Sequence, residues 1–126
     1  MRLLLDSHVA LWWLEGADDL GPESTALIES ADEVRFSAVT PWELGIKRAL
    51  GKLDFPDDLV AALEAAGFEA LPITAAHADL APRLPGHHRD PFDRMLVAQA
   101  RAEALTLVTA DETLRPYDVP LLEARR

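Results

Sequence analysis

The sequence predicts an α/β fold in which a parallel sheet is covered by helices on both faces. Short continuous apolar runs, with Arg2–Leu5 and Thr106–Thr109 the clearest, mark strands buried on both sides, because a strand with one wet face would alternate. Between these runs lie segments with helical apolar spacing and short connections, the pattern of strand–helix–strand crossovers. Two of the runs lead into an aspartate, Asp6 after the first and Asp111 just past the fourth. Sheets of this kind bind ligands outside the carboxyl ends of their strands.

Taken in order, Arg2–Leu5 is the first strand, and His8–Leu14 follows as a helix with Val9, Trp12 and Trp13 at helical spacing, ending near Gly16. Pro22 suits a helix start, and Glu23–Ala31 carries Ala26, Leu27 and Ala31 on one side. Val34–Ser37 is the second strand. Thr40-Pro41-Trp42-Glu43 then opens a helix through Ile46 to Leu50, stopped by Gly51. Pro56 starts a helix to about Ala66, Phe68–Pro72 is a weak third strand, and Thr74–Arg83 is a short helix. Pro91–Leu105 has the strongest helical pattern, with Met95, Leu96, Ala98, Gln99 and Ala102 along one stripe. Thr106–Thr109 is the fourth strand, and Val119–Leu122 adds a fifth at an edge.

At 126 residues the chain makes one domain, residues 1–126, large enough for a proper core. The absence of cysteine excludes disulfides and thiolate metal sites. The apolar start is broken by Asp6 and His8, no small-residue cleavage site follows, and no segment is long enough to span a bilayer, so the expected address is cytoplasmic. Twelve basic against twenty-two acidic residues give a net charge of −10, which repels a phosphate backbone. A nucleic-acid partner therefore requires a local basic surface, for which Arg48, Lys52, Arg89 and Arg94 are the candidates beside Lys47.

Four acids draw attention: Asp6, Glu43, Asp93 and Asp111. Each also has a plain structural explanation. Asp6 can cap the helix after the first strand, and Thr40-Pro41-x-Glu43 and Asp90-Pro91-x-Asp93 both read as capping boxes. Against this, a helix following a parallel strand begins at the carboxyl edge of the sheet, which puts Glu43 near Asp6 and Asp111; Asp93 depends on the loop before it. Four carboxylates gathered there repel one another, and some take up protons unless a cation compensates. Oxygen ligands without cysteine suit Mg²⁺ or Mn²⁺ rather than Zn²⁺. Metal-assisted hydrolysis of a phosphodiester is the reaction class that follows. Lys47, four residues after Glu43, reads either as an exposed ion pair or as a contact to the scissile phosphate.

The strings LLDSHVALWWL, SAVTPWELGIKRALGKL and HHRDPFDRMLVAQARAEALTLVTAD, in that order, resemble the PIN domain, and more narrowly its VapC-type toxins. The resemblance implies a three-layer α/β/α sandwich around a five-stranded parallel sheet, and an Mg²⁺- or Mn²⁺-dependent endoribonuclease acting on RNA. It also implies a homodimer and a cognate antitoxin whose tail covers the site. Residue by residue, the motif acids match Asp6, Glu43, Asp93 and Asp111, which the resemblance makes both catalytic and metal-binding. Thr109 matches the family's supporting hydroxyl, and Asp90 reads as a helix cap. His87 and His88 read as exposed loop residues. Trp12 and Trp13, being adjacent, cannot both face the core squarely. The alternatives are a PIN scaffold that binds without cutting, and a receiver-like phosphoacceptor domain. The second requires adjacent acids after the first strand, where this chain has Asp6-Ser7.

Overall fold

A computed structural model describes residues 1–126. Strands β1 (Arg2–Leu5), β2 (Glu33–Ser37), β3 (Glu69–Leu71), β4 (Thr106–Thr109) and β5 (Leu121–Glu123) form one parallel sheet in the order β3-β2-β1-β4-β5. Around it lie α1 (Ser7–Glu15), α2 (Pro22–Ser30), α3 (Val39–Ala49), α4 (Leu59–Ala65), α5 (Ala75–Leu80) and α6 (Pro91–Ala102). The result is the three-layer α/β/α arrangement expected.

Alternation along the central strands divides the core. Leu3 and Leu5 of β1 and Val108 of β4 face a cluster with Val9, Leu11, Ile28 and Leu63, whereas Leu4 and Leu107 face Leu96, Val97 and Ala100 on the other side. All five strand residues are fully buried, which is why these strands read as unbroken apolar runs. Truncating Leu4 to alanine would open a cavity and cost about 2–5 kcal/mol. The chain runs from β1 to β2 to β3 in one direction, then returns to place β4 on the opposite flank of β1. The switch point between β1 and β4 is where such sheets bind ligands.

Several elements differ from expectation for local physical reasons. Helix α3 begins at Val39, with Ser37 Oγ accepting from the Val39 amide at 3.0 Å. Thr40 is thus inside the helix rather than its cap, and Glu43 lies too deep in the helix to close a capping box. Helix α4 begins at Leu59, not Pro56. The intervening residues answer to Arg48, which donates to the Phe55 carbonyl at 3.2 Å and pairs with Asp57 at 3.1 Å. On α2 the buried residues are Ser24 and Ile28, while Ala26 is exposed. Helix α6 buries the consecutive residues Leu96 to Ala100 between the sheet and α5, then closes at Ala102, which is exposed. Strand β5 begins after Pro120, which lacks an amide to donate but whose carbonyl accepts from Leu107 at 2.9 Å.

The segment after β5 is docked on the start of α2. Gly21 donates to the Ala124 carbonyl at 2.9 Å, Glu23 to that of Arg126 at 2.8 Å, and Ser24 Oγ to that of Glu123 at 2.7 Å. A Cβ at Gly21 would stand 2.0 Å from the Arg126 carbonyl carbon, so only glycine permits this approach. No helix is long and apolar enough to cross a membrane.

Candidate active site

Asp6, Glu43, Asp93 and Asp111 line one cleft of about 320 Å³ at the carboxyl edge of the sheet, together with Lys47, Asp90, Trp12 and Arg125. The fold brings all of the predicted acids together, from β1, α3, α6 and the turn after β4.

Asp6 does two things at once. Its Oδ1 accepts from the His8 amide at 2.9 Å, capping α1, and its Oδ2 accepts from the Thr109 hydroxyl at 2.8 Å. The capping explanation is therefore correct and incomplete. Glu43 is 4% exposed. Its Oε1 accepts from Ser7 Oγ at 2.8 Å, Ser7 Oγ lies 3.1 Å from Thr40 Oγ1, and Oε2 pairs with Lys47 Nζ at 3.1 Å. The hydroxyl of Thr40, expected at a helix end, is spent on this chain of buried polar groups. Lys47 makes the i,i+4 pair and also lines the cleft.

On the other flank, Asp90 caps α6 through the Phe92 amide at 2.8 Å. The Asp90 amide donates to His88 Nδ1 at 3.2 Å, so the capping box is left half-formed and the Asp93 carboxylate faces the cleft. Asp111 Oδ1 accepts from the amide and hydroxyl of Thr113 at 2.9 and 2.6 Å. Thr109 Oγ1, besides donating to Asp6, accepts from the Asp111 amide at 3.0 Å, tying the two strand ends together.

The residue missed from sequence is His88. It is held by its amide's bond to Tyr117 Oη at 2.9 Å, with its side chain 21% exposed. Its Nε2 lies 3.0 Å from Asp93 Oδ2 and 3.1 Å from Asp111 Oδ2. Because Nδ1 accepts the Asp90 amide, Nε2 carries the proton, donating to Asp111 Oδ2 and lying within charge-pairing distance of Asp93 Oδ2. His88, Asp93 and Asp111 offer ligand atoms within 4.8 Å of one another, but that tautomer makes His88 a bracket between acids rather than a free nitrogen ligand. Arg94, expected on a basic rim, is instead committed to the loop before α6. It donates to the carbonyls of Ala81 at 3.0 Å, Leu84 at 2.7 Å, Pro85 at 2.9 Å and His88 at 3.1 Å.

Electrostatics report the crowding. Burial raises the Asp6 carboxyl above its usual range, with the Glu43 charge adding to the effect. Burial, followed by the charges of Asp6, Asp90 and Glu43, pushes Asp93 up to about 7. Burial also acts to raise Asp111, but Thr113 and His88 outweigh it and hold that carboxyl below its ordinary value. Each carboxylate oxygen engaged here retains a lone-pair direction beyond its protein partner. A carboxyl pushed up to about 7 by burial and by neighbouring carboxylates, as Asp93 is, fits a hard divalent cation that would supply the missing countercharge.

A doubly covered parallel sheet with an acidic cleft at its switch point defines a class of α/β proteins whose chemistry is done by clustered carboxylates. Within it, the chain belongs to the PIN domain family, which matches residues 3–120. It is 34% identical to Ribonuclease VapC22 of Mycobacterium tuberculosis, over 94% of this chain and 93% of that protein. In structure it is similar to VapBC2 of Rickettsia felis bound to a promoter DNA fragment, with a TM-score of 0.70, 16% identity and 98% of each chain covered. It is also similar to VapBC-5 of Mycobacterium tuberculosis, a toxin–antitoxin system, with a TM-score of 0.63, 24% identity and 100% of each chain covered. Family membership and the sequence of its acids set aside the receiver-like alternative: Ser7 stands where a second acid would be required, and its hydroxyl serves Glu43.

Proposed function

We propose that residues 1–126 form one PIN domain acting as a divalent-metal-dependent endoribonuclease, the toxin of a toxin–antitoxin pair. The observation that carries this reading is the convergence of Asp6, Glu43, Asp93 and Asp111 on one cleft, with Asp93 pushed up to about 7 by burial and its acidic neighbours. Relationship to a ribonuclease over nearly the whole chain supports the substrate class.

In this reading Asp6, Glu43, Asp93 and Asp111 hold Mg²⁺ or Mn²⁺, directly or through water. When bound, the ion supplies Lewis acidity, lowering the pKa of water and offsetting charge on the phosphodiester. The chain does the rest. Thr109 orients Asp6 through its 2.8 Å hydrogen bond, and Ser7 fixes Glu43 through another of 2.8 Å. His88 Nε2 holds Asp93 and Asp111 at a set spacing. Lys47 exchanges part of its pairing with Glu43 for a non-bridging oxygen of the scissile phosphate. Cleavage leaves a 5′-phosphate and a 3′-hydroxyl.

The protein partner in this reading is a cognate antitoxin, and the toxin itself pairs as a homodimer in the cytoplasm. Trp42 and Ile46 of α3 and Leu50 at its C-cap, spaced four residues apart, are exposed apolar side chains suited to such contacts. Total RNA incubated with purified protein and Mg²⁺ or Mn²⁺ yields discrete cleavage ends, and EDTA abolishes them. RNA left intact with both ions would overturn the assignment.

A further inference from the structure

We propose that Trp12 and Arg125 form a nucleotide-holding shelf on the rim of the acidic cleft, taking one base and one phosphate of single-stranded RNA. This rests on the endoribonuclease reading and extends it to how the strand is held.

With a net charge of −10, the protein needs a local cation to keep a phosphate beside four acids. Two arginines that sequence offered for this are already occupied: Arg94 by backbone carbonyls, and Arg48 by Asp57 and the Phe55 ring, 4.2 Å from its guanidinium carbon. The cations that line the cleft are Lys47 and Arg125. Lys47 is paired with the buried Glu43. Arg125 has a looser partner: its side chain is 59% exposed and lies 3.5 Å from Asp19, itself 51% exposed. A surface pair of this kind contributes little and is readily traded for a phosphate.

Arg125 does not stand alone. Its guanidinium carbon lies 5.3 Å from the centroid of the Trp12 ring, and the His8 ring tilts against the same indole at 6.5 Å. Trp12 is half-buried and lines the cleft with the acids. A planar cation beside an indole matches the two parts of a nucleotide, a charged phosphate and a flat base. The backbone holds the pair in place. The Arg125 amide donates to Glu123 Oε1 at 3.0 Å, and both neighbouring residues are pinned to α2 through the carbonyls that accept from Gly21 and Glu23. Beyond Asp111, an adjoining cleft of about 280 Å³ is lined by Arg126 and by Arg115, the latter paired with Glu112 and Glu123. An RNA strand is the occupant these observations favour, because whatever lies on the shelf shares a cavity with the four carboxylates.

The test is fluorescence anisotropy of a labelled mixed-sequence 12-nucleotide RNA in EDTA, alongside cleavage of total RNA with Mn²⁺. Arg125→Gln weakens binding about tenfold and makes the dependence of log affinity on log salt shallower by about 1. Arg125→Lys keeps the salt slope. Trp12→Leu weakens binding about tenfold, but has no effect on an abasic 12-unit ribose–phosphate strand. Gly21→Ala displaces the Arg125 segment and reproduces the loss without altering charge, whereas Arg101→Ala, on the exposed last turn of α6, changes nothing. Wild-type cleavage of total RNA with unchanged binding in Arg125→Gln and Trp12→Leu would overturn the shelf and leave the nuclease reading intact. No RNA binding by wild type also overturns the shelf, and absent cleavage overturns the nuclease reading. Normal RNA binding with impaired capture of a co-expressed antitoxin would assign the surface to a protein partner instead.

Discussion

The two halves of the acidic cleft are built on different principles. The side chains of Asp6 and Glu43 are 10% and 4% exposed, and each carboxylate oxygen meets a fixed partner: the His8 amide, the Thr109 and Ser7 hydroxyls, the Lys47 ammonium. Asp93 and Asp111 are shallower, with side chains 15% and 33% exposed, and are bridged by one histidine from a loop. That loop is held by Arg94 and Tyr117 rather than by regular structure. One half is set by the sheet and its adjoining helices. The other is braced from outside the sheet, by a loop side chain that spans its two acids.

The largest test of this contrast is at the rigid half. Asp6→Asn keeps one oxygen for the α1 cap but turns an amide toward the Thr109 hydroxyl, a loss of about 1–3 kcal/mol that leaves the protein folded. On the proposed reading RNA cleavage falls by at least about a hundredfold, because the ion would lose a charged ligand. Full activity in a folded Asp6→Asn protein would remove the rigid half from the chemistry. Next comes the half braced by the loop. Arg94→Ala strands several carbonyls of the loop and lowers stability by about 2–3 kcal/mol in urea unfolding. It also lowers metal affinity, read by calorimetry, through the freed His88 bracket. An unchanged midpoint would mean that the loop stands without its arginine.

The smallest effect is in pH dependence without metal. The Asp93 carboxyl is raised to about 7 in the folded protein against an ordinary value of 3.8, so the folded state binds the proton more tightly than the unfolded one. Stability is therefore greatest when Asp93 is protonated in both states. It declines as pH rises from about 4 through about 7 and is level above that. Asp6, raised in the same direction, adds to the decline. Urea unfolding in EDTA between pH 5 and 8 measures the slope. Asp93→Asn makes it shallower, leaving the Asp6 share, and Mg²⁺ flattens it in the unaltered protein. A slope undiminished by Asp93→Asn would place the strained charge elsewhere.

What sequence revealed follows the same division. Strands β1 and β4 were legible to the residue because burial on both faces leaves an unbroken apolar run, and the acids at their ends followed from the fold class. Glu43 and Asp93 could be placed near the edge, but whether each capped a helix or faced the cleft could not be read locally. That is settled by tertiary partners: Ser37 takes over the capping of α3, and His88 takes the amide that Asp93 would otherwise have met. His88 itself carried no sequence signal, since its bridge to Asp111 spans 23 residues and no periodicity records it. Arginine identity was equally mute. Arg94 and Arg125 look alike in a string, yet one is bound to carbonyls and the other flanks an indole at the cleft.

The bond from Thr109 to Asp6 joins residues 103 positions apart. Because β4 docks on β1 only after nearly every other element has been made, the ribosome releases most of this polypeptide before the two can meet. A copy truncated before β4 has neither Thr109 nor Asp111, so Asp6 lacks its Oδ2 partner and the cleft lacks one of its four acids. The strand order thus makes the cleft one of the last parts of the molecule to close as the chain emerges.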